Sequence, residues 1–442
     1  MILLSEEMEG ISEYVVSNAL PGEEIACLVT HAKRKMVRFA NGEFTVSQSW
    51  DETEAAILYR TKGTTSIGST LNLDKRAISN TLDHLRSAAA ASKPKSDLSP
   101  LPKKSNYIPI KGCKEEGLLS NDEKMVEFIL RADASALKEG AERTAVVLNA
   151  EDVTWHLSTT AGVNAKASAT SSHMVIRAFK EQGSGQGITA SPFLSRLDPE
   201  IAGERAGKLA SDSRAPQKGD EGYYDVVLDP SIFANLIDSV AYASSAYAIE
   251  AGFSFLGGQL GKKLASEKFS LYDDGRLANG LLVRPFDDEG TPTSKTPIFE
   301  EGFVKNFLTN SYYSKKLGLP NTGNAGWVEP RPWNLVVSEG KAREEDLFSG
   351  KVIYITNNWY TRFQNYVTGD FSTILRDAVF EIEEGKQLRS LKGLRMSDSL
   401  PRMLSSIVDV SSKAYLTKWW EVEIPSLVPY VLIKGVHLTT AE

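Results

Sequence analysis

P-F-D-D-E-G, at residues 285–290, belongs to a run of four short polar motifs that decides how the second half of this chain folds. The others are D-D-G at 273–275, N-T-G-N-A at 321–325 and T-G-D-F-S at 368–372. Gly290 and Gly323 permit turn geometry closed to bulkier residues, while Asp287, Thr322 and Asn324 can hydrogen-bond nearby backbone. Gly369 and Asp370 read as turn formers, with Phe371 turned inward. Short β segments lie around the motifs, at 269–273, 334–338, 351–356 and 380–383, with further turns at Gly275, Gly302, Gly340 and Gly385. Spacing of this kind predicts a mostly antiparallel, strongly curved β domain. A strand at 223–229 and a helix over 230–250 open it, with Pro230 suited to the helix's first turn.

Upstream the pattern changes. Met8, Ile11, Val15 and Ala19 have helical spacing over residues 6–19, and Pro21-Gly22 stops the run. Short β-rich segments follow at 24–31, 36–40, 43–49 and 54–60, with Asn41-Gly42 as a hairpin signal and K-R-K at 33–35 as a solvated turn. A helix over 73–91 begins near Asp74. Residues 92–116, rich in proline and lysine, predict a long surface loop. The capping-box pattern of Ser120 and Glu123 opens a helix to about residue 138, with Met125, Phe128, Ile129 and Leu137 on its buried stripe. Strands are predicted at 144–149, 153–159, 164–170 and 173–179, then a helix over 199–210 capped by Asp198. The fold class is therefore α+β. An N-terminal α/β domain, residues 1–216, has helices packed on a sheet, and the polar stretch 211–222 leads into a C-terminal β-rich domain, residues 217–442.

A chain of 442 residues, 41% hydrophobic and 24% charged, is long enough for two or three domains with apolar cores. Residues 1–10 include acidic side chains and no basic one, unlike the charged start of a secretory signal. No apolar run approaches the roughly 20 residues needed to span a bilayer. Cys27 and Cys113 are too few and too isolated for a disulfide framework or a cysteine-rich zinc site. The expectation is a cytoplasmic protein without membrane attachment. A net charge of −7 argues against a nucleic-acid partner, because phosphate binding draws on clustered cations.

Zinc peptidases need two imidazoles and a third ligand at one metal, and a carboxylate to take a proton from the metal-bound water. The histidines are His31, His84, His156, His173 and His437, and no two share helical ligand spacing. His156 and His173 could meet across strands, but both fall in the N-terminal domain. G-F-S-F-L-G at 252–257 approaches a nucleophile elbow, yet Leu256 holds the second glycine position, and a turn into a strand is the plainer reading. G-S-G-Q-G at 183–187 reads as a flexible hairpin, since it lies between predicted strands and lacks a helix to present amides to phosphate. Asp287, Asp288 and Glu289 could offer oxygens to a hard cation. Adjacent carboxylates on an extended chain point to opposite faces, however, so a solvated turn is expected.

Taken together, the four motifs resemble the C-terminal half of the TldD/TldE family, also called PmbA or modulator of DNA gyrase, whose active members are zinc peptidases. In those members a helix shortly before the segment that reads S-F-L-G-G-Q-L-G here, residues 254–261, carries H-E-x-x-x-H. The matching stretch is I-D-S-V-A-Y, residues 237–242, so Ile237 and Tyr242 stand at the histidine positions and Asp238 at the glutamate. Active relatives also carry a cysteine ligand near the C-terminus, and no cysteine follows Cys113. The resemblance implies a TldE/PmbA-type member with no catalytic or metal-binding residue of its own. It further implies that this chain binds no cofactor and that zinc resides in a TldD-like partner. The pair would form a metallopeptidase acting on unfolded or small peptides. Asp287, Asp288, Glu289, Gly290, Thr322, Gly323, Asn324, Gly369 and Asp370 are then the candidates to rim its substrate cleft, with the peptide held as an added strand. The alternative is a self-standing homodimeric peptide-binding or regulatory protein, consistent with the gyrase-modulator name.

Overall fold

Long alternating runs build the first of two sheets in the computed structural model, which describes residues 5–94 and 98–440. Residues 1–4, from the stretch read for a secretory signal, and 95–97, from the proline-rich loop, lie outside the described residues. The first sheet comprises β1 (Glu23–Ala40), β2 (Glu43–Thr61), β3 (Thr64–Thr70), β4 (Arg143–Thr159), β5 (Asn164–Lys180) and β6 (Gly183–Ser191). Its order is β3-β2-β1-β4-β5-β6, with every neighbouring pair antiparallel. Asn41 and Gly42 form the two-residue turn between β1 and β2.

These strands are longer than the sequence predicts, because charged residues expected to interrupt them find partners across the ladder. Lys33 pairs with Asp51, and Arg34 with both Glu52 and Glu151, so K-R-K continues as strand and is not a solvated turn. Side chains alternate faces along a strand. Val146, Leu148, Met174 and Ile176 therefore form an apolar face, and Asn149, Glu151, Ser171 and His173 occupy the other.

Helices cover the apolar face. α1 (Ser5–Ser17) and α2 (Lys75–Ala91) enclose a core that includes Met8, Ile25, Ile57 and Leu82. Asp74 caps α2 by accepting from the Ala77 N–H. α3 (Asp122–Lys138) and α4 (Pro199–Asp212) pack on β4 to β6. Asn121, not Ser120, caps α3, because Ser120 closes a short 3-10 turn before it. Leu137 is exposed, and Ala132 and Ala136 complete the buried stripe instead. G-S-G-Q-G lies within β6 and is not a flexible hairpin. A Cβ on Gly183, Gly185 or Gly187 would collide with the backbone of α4 or the turn that follows it, and one on Gly203 or Gly207 of α4 with α3.

The second sheet has short entry strands: β7 (Gln217–Lys218), β8 (Gly222–Leu228), β9 (Leu271–Asp274), β10 (Lys295–Glu300), β11 (Phe303–Val304) and β12 (Leu335–Val337). Longer ones follow: β13 (Lys351–Asn365), β14 (Asp370–Glu383), β15 (Lys386–Lys392), β16 (Leu394–Ser399), β17 (Ile407–Trp419) and β18 (Val422–Thr440). The pairing is mostly antiparallel, with β12 on β18, β8 on β13 and β7 on β15 parallel. The class is α+β. α5 (Pro230–Ala243) lies on this sheet with Ile232, Leu236 and Ile237 against Val226, Val431 and Ile433. The single helix expected over 230–250 is two. The Ser244 hydroxyl donates to the Ala241 carbonyl where α5 stops, and α6 (Ala246–Glu250) starts afresh. α7 (Ser311–Leu317) and α8 (Leu400–Ser405) are short. Among the described residues, no helix is long and apolar enough to cross a membrane.

Candidate functional site

α5 forms because Asp229 caps it, accepting the Ser231 N–H at 3.0 Å, with Pro230 in its first turn. The three positions that match the zinc motif sit near its far end. Ile237 is fully buried in the core, where an aliphatic side chain offers no lone pair to a metal. Asp238 is also buried, and its Oδ2 accepts the backbone N–H groups of Glu423 at 2.6 Å and Ile424 at 3.3 Å. Burial pushes its carboxyl well above the usual carboxylate range, against the pull of those two N–H groups. The Tyr242 hydroxyl donates to Glu423 Oε2 at 2.8 Å, and burial raises this phenol too. The helix face is thus tied to the start of β18. Among the described residues, no group of three or more His, Cys, Asp or Glu side chains could hold a metal ion. The residues at these positions do not fit zinc.

A cleft of about 550 Å³ opens beside that turn. One wall is the polar face of the first sheet, where the ladder aligns Trp50, Arg34, Glu151 and Ser171 in one row and brings His173 opposite Asn149. The facing wall consists of Leu281, Leu282, Lys418, Glu423 and Pro425. Lys418 Nζ donates to the carbonyls of Val422 at 2.9 Å and Glu423 at 2.5 Å, and so holds the turn whose N–H groups Asp238 accepts. Burial lowers the Lys418 pKa. Burial, with a smaller contribution from the Lys418 charge, pushes His173 down to about 4, so its imidazole is neutral at physiological pH.

The sequence places His173 far from the family's site, and the fold reverses this: His173 shares the cleft with Lys418 and Glu423. His156 and His173 do not meet. His156 pairs with Lys166 and His173 with Asn149, seven residues apart along the ladder, roughly 23 Å. His156 instead bonds the Ser12 hydroxyl at 2.8 Å. Ser254 of the elbow-like motif donates to the Ala243 carbonyl at 2.6 Å and accepts the Leu256 N–H, which makes it a turn former. Lys418 was missed. The alternation of 149–151 and 171–173, polar on one strand face, marks a wall facing something other than core but does not point to Lys418.

The motif loops form a buried knot elsewhere. Asp287 accepts the N–H groups of Glu289 and Thr291 with Oδ1 and that of Ala325 with Oδ2. Asn324 donates to Asp273 at 2.6 Å, and Asp273 also accepts the Trp333 N–H. Asp288 pairs with Arg284 and Arg331, and Glu289 with Arg60 of β2 at 2.7 Å. All three carboxylates of 287–289 are at most 2% exposed, so the solvated turn expected there is absent. Each finds a different internal partner because the loop is folded, not extended. Burial raises Asp273 to about 7, and burial with the Glu289 charge raises Asp287. Thr322 exchanges hydrogen bonds with Thr309. Gly290 (φ 91°) and Gly323 (φ 72°) adopt left-handed turns, with a Cβ at Gly290 meeting Val163 and one at Gly323 meeting Pro292. Gly369 precedes β14, whose Asp370 borders a separate hollow with Tyr223 and His437. Asp287, Asp288, Glu289, Gly290, Thr322, Gly323 and Asn324 are buried and do not line the cleft beside α5.

This architecture belongs to a class of peptidase-like proteins: residues 221–440 match the family model described as the PmbA/TldA metallopeptidase C-terminal domain. The chain belongs to the PmbA/TldD family of metalloprotease-like proteins. It is 28% identical over 222 residues to a metalloprotease PmbA homolog of Buchnera aphidicola, covering 49% of this chain and 47% of that protein. The chain spans under half the length of the curated relatives it matches. A Thermotoga maritima structure named as a candidate modulator of a DNA gyrase superposes with a TM-score of 0.88 at 21% identity, over 98% of this chain and 100% of the other. TldE from Thermococcus kodakarensis gives 0.84 at 18%, over 98% and 99%. At such identities these two structures speak for the fold.

Proposed function

We propose that this chain is the subunit without zinc in a TldD/TldE-type metallopeptidase that acts on unfolded or small peptides. The observation that carries the reading is the fate of the motif positions: Asp238 and Tyr242 are bound to the start of β18, while residues 221–440 around them still match the family's C-terminal domain. A TldD-like partner supplies the zinc, the general base and the remaining ligands, and this chain completes the chamber and aligns the peptide, since positioning contributes to rate. The test is to mix the purified chain with an H-E-x-x-x-H relative from the same organism. A stable complex at micromolar concentration that cleaves peptides faster than the zinc subunit alone is expected. No association, with full activity of the zinc subunit alone, would sink the reading.

One observation favours a second reading, a self-standing homodimeric peptide binder with a regulatory role. The cleft beside α5 is walled on both sides by residues of this chain, so it needs no partner to exist. Peptide binding by the chain in the absence of any zinc subunit, with no gain in cleavage on mixing, would select it.

A further inference from the structure

The charges around the cleft are not evenly compensated. Arg34 is paired with Glu52 and Glu151, and Lys35 with Asp122. Lys418 differs from both. An ammonium has three N–H donors, and two of these go to the Val422 and Glu423 carbonyls, which carry no formal charge. Among the described residues, no carboxylate lies within 4.0 Å of its Nζ. Three acids face it from further off: Asp238, Glu423 and Glu151. Asp238 is held toward its neutral form by burial, Glu423 is engaged by the Tyr242 hydroxyl, and Glu151 by Arg34. A half-buried ammonium without a close counter-charge carries a desolvation cost, and a carboxylate entering the cleft would offset it. Apolar side chains also border the cleft: Leu281, Leu282 and Pro425 on the wall that carries Lys418, and Trp50, 39% exposed, within the polar row opposite.

We infer that the cleft takes the carboxylate of a peptide onto the third N–H of Lys418, with the adjoining apolar side chain lodged among Trp50, Leu281, Leu282 and Pro425. The inference rests on the proposal that this protein handles peptides, and adds which end or side chain of the peptide is recognised. The C-terminal carboxylate and an acidic side chain share the needed chemistry.

Calorimetric titration of the full chain with N-acetylated alanine peptides separates these cases. Three probes are used: one ending in leucine as the free acid, the same peptide as the amide, and an amide with glutamate in place of the leucine. The free acid is expected to bind about tenfold more tightly than the leucine amide, the size of one charge-assisted hydrogen bond. Tight binding of the glutamate amide instead assigns the site to acidic side chains, and still places a carboxylate on Lys418. Lys418→Met should erase the preference, and Lys418→Arg should restore part of it. Thermal unfolding of both variants shows whether they fold, and the comparison of wild-type probes does not depend on them. Equal binding of acid and amide would overturn the inference while leaving the peptide reading intact. Binding of none of the three would overturn both.

Discussion

The knot of family motifs and the cleft beside α5 differ in where their charged groups find partners. In the knot the charged groups find charged or backbone partners inside the protein, although Arg60 Nε and Asn324 Oδ1 stay unpaired: Asp287 alone takes three backbone N–H groups, and Asp288 sits between two arginines. In the cleft, Lys418 spends two of its N–H groups on the carbonyls of one turn, and no carboxylate among the described residues forms an ion pair with it. Charges paired inside the protein mark a part that holds shape, and a cleft-wall charge without a close counter-charge marks a part that is available to something else. The motifs by which the family is recognised are thus the scaffold, and the cleft residues carry no motif.

Mutations can break that comparison. The largest effect is expected at the Arg60–Glu289 pair, buried on both sides and joining the first sheet to the knot. Arg60→Ala should lower unfolding stability by about 3 to 5 kcal/mol, because it strands a buried carboxylate, and urea titration would read this. Asp287→Ala should follow closely at about 3 kcal/mol, since three N–H groups lose their acceptor. If either change proved harmless, the knot would not be the scaffold. A pH series sharpens the contrast. Asp273 is raised to about 7 in the folded state, from an ordinary value near 3.8. Between those values the folded protein holds a proton that the unfolded chain releases. Stability should therefore fall as pH rises from 5 to 7, by up to about 1.4 kcal/mol per pH unit, and Asp273→Asn should flatten that slope. At the edge of the cleft, where Tyr242 holds the lining residue Glu423, the change should be small. Tyr242→Phe removes one hydrogen bond at a residue that is 42% exposed, and should cost no more than about 0.5 to 1 kcal/mol. Last comes metal: elemental analysis of the purified chain should find no stoichiometric zinc, and chelation should leave its melting temperature unchanged. One tightly held zinc per chain would overturn that expectation.

Local signals carried much of the fold. The Asn41-Gly42 hairpin, the Asp74 cap and the buried Phe371 are decided within a few residues of themselves. The misses are long-range. K-R-K looks like a turn until the acids opposite it on β2 and β4 are known, and 183–187 looks flexible until α4 is laid against it. The same holds for the carboxylates at 287–289, whose partners Arg60 and Arg331 lie far away in sequence. Asp238 and Tyr242 could be found by motif, but Lys418 and His173 reach the cleft from different sheets, and no spacing along the chain encodes that meeting.

The glycine contacts of α4 set a dimension. With Gly183, Gly185 and Gly187 on one side and Gly203 and Gly207 on the other, backbone rests almost directly on backbone from β6 through α4 to α3. The thickness of that stack is gauged by main chain, which does not vary with sequence. Side chains elsewhere in the two cores can then drift in size while the chain leaving α4 still enters the second sheet from the same height and angle. A single methyl group at any of these five positions would act as a shim, driving strand from helix or helix from helix along that stack.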